Sequence, residues 1–187
     1  AIQDVVVTIT GNNDAPVIDT APQAGSITES ADITGGTDAD PEAATGTITF
    51  VDVDLADSPT ASITASSVSG GTATLTTDQA TALLDKLSLA DVTNNPDGSG
   101  SVGWSYDVPN ADIDFLADGE TAELTFTVTI NDQKGGTATQ DVVVTITGTN
   151  NAPVGADTTI TLLDIETHNF SAADFGFTDA LNTQDSV

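Results

Sequence analysis

A nine-residue segment occurs twice in this chain without a single change. Gln3-Asp4-Val5-Val6-Val7-Thr8-Ile9-Thr10-Gly11 returns as Gln140-Asp141-Val142-Val143-Val144-Thr145-Ile146-Thr147-Gly148. The first copy leads into Asn13, Ala15, Pro16 and Val17, and the second into Asn150, Ala152, Pro153 and Val154. The offset, 140 − 3 = 137 residues, is the period of a tandem array. Residues 1–13 are therefore expected to be the last strand of a preceding repeat, 14–150 one complete repeat, and 151–187 the truncated start of the next unit.

Within one period the pattern is that of half-buried strands, with apolar residues alternating with Thr or other polar residues. Leu124, Phe126, Val128 and Ile130 alternate with Thr125, Thr127 and Thr129; Ile48 and Phe50 alternate with Thr47 and Thr49; Val102, Trp104, Tyr106 and Val108 share one parity. Turn clusters such as Asn131-Asp132-Gln133-Lys134-Gly135-Gly136 bound the strands. About seven strands result, enough for an all-β sandwich of two facing antiparallel sheets. Asp78 to Leu89 breaks the rule: Ala80, Leu83, Leu84 and Leu87 have helical spacing, so a short helix capped by Thr77 or Asp78 is expected to cover one edge. Two strands of a further sandwich cannot close a core, so the tail, with Ile160 and Leu162 alternating and Phe175 to Asp179 as a second strand and acidic turn, should be poorly ordered or lean on its neighbour.

Composition narrows the partners. Two Lys and no Arg face 29 acids, a formal net charge of −27, which disfavours nucleic acid and anionic membranes. The acids are 24 Asp and 5 Glu, and short carboxylates suit turns and calcium loops. Adaptation to high salt or plain solubility are the competing readings of such acidity. With no Cys, neither disulfides nor thiolate chemistry is open to the chain. No Met, signal peptide or membrane-length apolar run occurs, and the chain reads as cut from a longer protein.

The ordered set Gly25-Ser26-Ile27-Thr28-Glu29, Gly46 to Asp54, Trp104-Ser105-Tyr106, Phe115 to Glu120, Gly136 to Gln140 and the twice-used Gly-x-Asn-(Asp/Asn)-Ala-Pro-Val resembles the VCBS repeat of large bacterial surface proteins. The resemblance runs from Ile2 to Val154 and implies an Ig/cadherin-like sandwich in tandem arrays of RTX-type adhesins, secreted and displayed on the bacterial cell surface, with roles in cell adhesion and biofilm. No glycine-rich RTX nonapeptide is present, so the secretion route comes from the family alone.

Tracing strands alternately up and down carries acidic turns to the two ends of the sandwich. Asn13, Asp14, Asp52, Asp54 and Asp132 are expected at the N-terminal junction; Glu29, the loop from Asn110 to Glu120, Asn150, Asn151 and Asp179 of the next unit are expected at the C-terminal one. This resembles interdomain Ca2+ in cadherin-like arrays. Calcium takes six to eight oxygens at ~2.3–2.6 Å, and Asp-x-Asp with Asn-Asp offers that mixture. Thr10 and Thr147 stand where animal cadherin linkers carry Asp, and Asn151 replaces the acid of the first copy, so the C-terminal site should be the weaker.

Other residues read as structural. Trp104 and Tyr106 point inward rather than forming a sugar platform, and His168 has no triad or zinc partners. Asp112 with Asp114, or Asp118 with Glu120, would need an aromatic cleft to act as a glycosidase pair, and aromatics are 4% of the chain. No catalysis is expected. The leading function is a calcium-stiffened extender whose partners are neighbouring repeats. The rivals are a carbohydrate- or protein-binding repeat and an accessory repeat of a large extracellular hydrolase.

Overall fold

A computed structural model describes residues 2–31, 41–152, 154–171, 174 and 176–178. In chain order the elements are β1 (Val17–Ile18), β2 (Gln23–Thr28), β3 (Pro41–Val51), β4 (Thr60–Gly71), α1 (Thr77–Leu84), β5 (Leu87–Leu89), β6 (Thr93–Asn94), β7 (Ser99–Pro109), β8 (Thr121–Asn131) and β9 (Thr137–Thr147). A short 3-10 turn at Asn110–Asp112 follows β7, and β10 (Val154–Ala156) and β11 (Gly176–Thr178) lie in the tail.

The chain folds as an Ig-like β-sandwich. One sheet has the order β1-β3-β7-β5 with β6 also on β7, and the other β2-β9-β8-β4. Alternation drives the assembly. Leu124, Phe126, Val128 and Ile130 of β8, Val102, Trp104, Tyr106 and Val108 of β7, and Val142, Val144 and Ile146 of β9 form one buried core with Ile48 and Phe50 of β3. Tyr106 meets Phe126 across the gap between the sheets, ring centroids 5.9 Å apart. The Thr faces of the same strands point outward. β4 is an edge strand rich in Ser, Gly and Ala, and two register shifts against β8 break the regularity of that edge.

Within the repeat the structure differs from the sequence expectation in three places. Among the described residues nine strands build the repeat where about seven were expected: six are long, and β1, β5 and β6 are two- or three-residue pieces too short for an alternation count. β2 pairs with β9 in parallel, from Gln23 opposite Val142 to Thr28 opposite Thr147, so the sandwich is not wholly antiparallel. Both strands run from the N-terminal to the C-terminal junction, which makes parallel pairing unavoidable once they are neighbours. The helix is shorter than its apolar spacing implied. Thr76, not Thr77 or Asp78, is the N-cap, in a capping box with Gln79, and the helix ends at Leu84 with Asp85 as C-cap. Leu87 instead enters β5 opposite Tyr106, where backbone pairing to an open sheet edge outweighs one more helical turn. The helix still covers the core: Leu83 is buried, and its carbonyl, in the last turn, also accepts from the Tyr106 hydroxyl at 3.0 Å. Burial, with the Asp112 carboxylate adding to it, pushes that phenol far above its usual range.

Trp104 is buried, and its Nε1 donates to Gln23 Oε1 at 3.2 Å. The indole lies flat over Gly46, where an added Cβ would sit 2.5 Å from Cε2. Gly46→Ala is accordingly expected to cost about 1–3 kcal/mol by overpacking. The measurement is the urea midpoint followed by Trp104 fluorescence, and iodide should quench the folded protein poorly before and after the change.

In the tail β10 and β11 pair as an antiparallel ribbon, Gly155 opposite Phe177. The first tail strand is thus Val154–Ala156 rather than the stretch containing Ile160 and Leu162; the second falls where expected. No described helix is long and apolar enough to cross a membrane.

Candidate metal centre

At the end of β3 the chain stops pairing and turns through Asp52-Val53-Asp54-Leu55-Ala56-Asp57. The turn is held against the loop before β7: the Asp52 N–H donates to Gly98 O at 2.8 Å, and Gly98, at φ +83°, has no room for a Cβ because Asp52 O would lie 2.1 Å from it. One carboxylate oxygen from each of Asp52, Asp54 and Asp57 lies within 4.8 Å of the others. That is about the widest separation two oxygens can have on one calcium at ~2.4 Å.

Two of these acids are buried, Asp52 at 3% and Asp57 at 8% exposure. Asp52 Oδ1 accepts from the Asp54 N–H at 3.0 Å, while Asp52 Oδ2 and Asp57 Oδ2 are buried without a hydrogen-bond partner. An orphaned buried carboxylate oxygen is costly, and two in one cluster of like charges more so. Burial pushes the Asp57 carboxyl above its ordinary value, and the carboxylates of Asp52, Asp54 and Asp132 push it further, with Lys134 acting against them. An all-oxygen set with unsatisfied buried lone pairs fits a hard divalent cation.

The N-terminal linker is tied to this turn. The Asp14 N–H donates to Asp54 Oδ2 at 2.6 Å, and Asn13 Nδ2 donates to Asp132 Oδ2 at 2.9 Å. Asp132 is fully buried, and the backbone N–H groups of Lys134 and Gly136 also point at its carboxylate. The Asn13 amide first, and these N–H groups after it, hold its carboxyl below the usual range. The structure thus brings Asp52 and Asp54 together and adds Asp57, which the sequence reading passed over although Asp-x-Asp-x-x-Asp was there to see. Asp14 reaches the cluster through its backbone and keeps an exposed side chain; Asp132 braces Asn13 from a turn of its own.

The C-terminal junction is built differently. Glu29 is buried, accepting from Thr149 N at 2.9 Å on Oε2 and from Asn151 Nδ2 at 2.9 Å on Oε1, while its backbone carbonyl accepts from Thr149 Oγ1. Asn110, also buried, bridges Ser30 O and Asp114 Oδ1 at 3.0 Å each. Asn150 is exposed, and Asp179 lies outside the described residues. Burial raises the Glu29 carboxyl, the N–H donors of Thr149 and Asn151 oppose the rise, and the nearby Asp114 adds to it. The chain's own donors therefore satisfy both Glu29 oxygens.

An acid whose pKa folding raises holds its proton more tightly in the native state, so its contribution is present at low pH and is lost as pH rises through the raised value. Asp57 and Glu29 behave this way; Asp132, lowered, favours the fold above its ordinary value and loses that contribution as pH falls. In calcium-free buffer these groups place the stability maximum around the ordinary carboxyl values of 3.8 and 4.5, with stability falling from there toward neutral pH. Diffuse repulsion at −27 would tilt the curve the same way. Asp57→Asn with Glu29→Gln should visibly flatten the urea-midpoint profile; an unchanged profile would assign the slope to diffuse charge.

No family model and no curated protein matches the chain. Among solved structures, it is similar to the ASH / PapD-like domain of human CEP192 (PapD-like domain 7), at 12% identity over 79% of this chain and 95% of that one, TM-score 0.35. It is also similar to CfaE, the adhesive subunit of the CFA/I fimbria of enterotoxigenic Escherichia coli, at 10% identity over 72% of this chain and 48% of that one, TM-score 0.36. Likenesses this distant name no family, and the fold assignment rests on the strand pairing above.

Proposed function

We propose that this chain is an extender segment of a large secreted bacterial surface adhesin of the VCBS-repeat kind, stiffened by calcium at the N-terminal junction. The observation that carries the reading is the pair of orphaned buried oxygens, Asp52 Oδ2 and Asp57 Oδ2, in a three-carboxylate turn to which the linker is bonded through Asp14 and Asn13. A divalent cation there removes the repulsion among the acids and fixes the linker against the sandwich. Three carboxylates supply up to six oxygens, and the exposed Asp14 side chain and water can supply the rest.

The reading is non-catalytic. Asp112 pairs with Lys86 at 2.6 Å and Asp114 accepts from Asn110, so both acids are held in structural contacts. The buried Trp104 gives a sugar no face to stack on.

A Kd on the order of 10⁻⁴–10⁻³ M is expected, the range of extracellular modules. Calcium should raise the melting temperature at constant high ionic strength and magnesium should do so less. Chains holding several repeats should become longer and narrower in solution scattering. An equal magnesium response, or a full calcium response after Asp52→Ala with Asp54→Ala, would remove the site and leave acidity as a solubility or salt adaptation.

A further inference from the structure

The first copy of the repeated segment has no partner in the described structure. Residues 2–16 form no secondary structure, and Val5, Val7 and Ile9 are exposed by 84%, 77% and 91%. Their copies Val142, Val144 and Ile146 in β9 are at 0%. β9 is an inner strand, parallel to β2 on one side and antiparallel to β8 on the other, and a nine-residue identity transfers its register whole.

We infer that Gln3–Gly11 is the inner strand of a preceding sandwich of this same kind, and that this unit is seated against the one before it by that strand. Val5 then lies opposite the equivalents of Gln23 and Phe126, Val7 opposite those of Gly25 and Leu124, and Ile9 opposite those of Ile27 and Ala122. The segment cannot take the place of β9 in this chain's own sandwich, where that position is filled. β9 runs away from the N-terminal junction, whereas Gln3–Gly11 runs into it, so the direction would be reversed. A second observation points the same way: Val53 and Leu55, 70% and 63% exposed, line one groove with Gly11, Asn12 and Asn13. A unit whose last strand ends at Gly11 has its end directly above that groove, and these side chains are placed to receive it. The inference rests on the tandem part of the function proposed above and not on calcium.

The test joins a second copy of residues 12–139 directly to Gln3 of residues 3–187, so that Gln3–Gly11 completes the added unit. With EGTA present throughout, amides of residues 5–10 should exchange roughly 100-fold more slowly in the fusion than in the 187-residue chain. Val7→Asp should unfold only the added unit of the fusion and leave the melting temperature of the 187-residue chain unchanged. Three results would overturn the inference: unprotected amides 5–10 or an unfolded added unit in the unsubstituted fusion; loss of stability in the 187-residue Val7→Asp chain; or a dimer of the 187-residue chain that Val7→Asp abolishes, which would make a second copy the acceptor. A missing calcium response leaves all these readouts intact, so failure of the metal site and failure of the strand assignment are distinguishable.

Discussion

Asn151→Asp is expected to cost about 2–4 kcal/mol at pH 7, more than the ~1–2 kcal/mol expected for Asn151→Ala. Asn151 is buried, and its amide donates to Glu29 Oε1 at 2.9 Å. The alanine leaves that oxygen without its donor; the aspartate adds a second carboxylate against a group whose ionisation burial and Asp114 already disfavour. Acidification should restore the aspartate variant selectively, since one shared proton turns two repelling carboxylates into a hydrogen-bonded pair. Urea midpoints at pH 7 and at about pH 5 measure the difference. If the two variants cost the same at both pH values, the junction is held by backbone contacts such as Glu29 N to Thr147 O and the amide is incidental. The repeat makes the substitution informative: Asp14 stands in the first copy where Asn151 stands in the second, so the change gives the second copy the acid of the first.

The strands that alternate strictly were legible because each side chain answers to one burial face: β7 and β8 appear at the parity read from Trp104 and Phe126. What was not legible was set by backbone pairing over long separations. Leu87 satisfies a helical spacing and, with Leu89, a period of two; only the open edge of β7 decides between them. β1, β5 and β6 are too short to carry a period at all. At the candidate site, Asp52 and Asp54 were visible as a motif on a strand end, and Asp57 becomes a partner only because the turn folds back, its N–H donating to Asp54 O at 3.0 Å. Asp132 looked from sequence like another ligand. Its turn, with Gly136 closed against Ala15 and N–H groups aimed at the carboxylate, spends those oxygens on local structure. Nothing in the residue order separates an acid saturated by its own loop from one left with a free buried lone pair.

That distinction yields the last expected result: Asp57→Asn should stabilise the calcium-free protein and abolish its calcium response, so that the two chains exchange rank when calcium is added. Without a cation, the Asp57 carboxylate is a buried charge among Asp52, Asp54 and Asp132, and an amide of the same shape removes the repulsion. With 10 mM calcium and a Kd of ~10⁻⁴–10⁻³ M, binding to the folded state adds about 1.4–2.7 kcal/mol, or roughly 5–10 °C for a unit of this size, and the variant forgoes it. Asp97→Asn is the matching control. The Ser99 hydroxyl and N–H hold the Asp97 carboxyl below its usual value, so this change should destabilise the protein and leave the calcium increment whole. A less stable Asp57→Asn chain in EGTA would show that the carboxylate braces the turn by itself. A full calcium increment in that variant would remove Asp57 from the ligands. Opposite signs for two substitutions that each remove one negative charge separate a local carboxylate cluster from general charge relief, since easing diffuse repulsion at −27 would stabilise both variants alike, and the lost calcium increment ties that cluster to the cation.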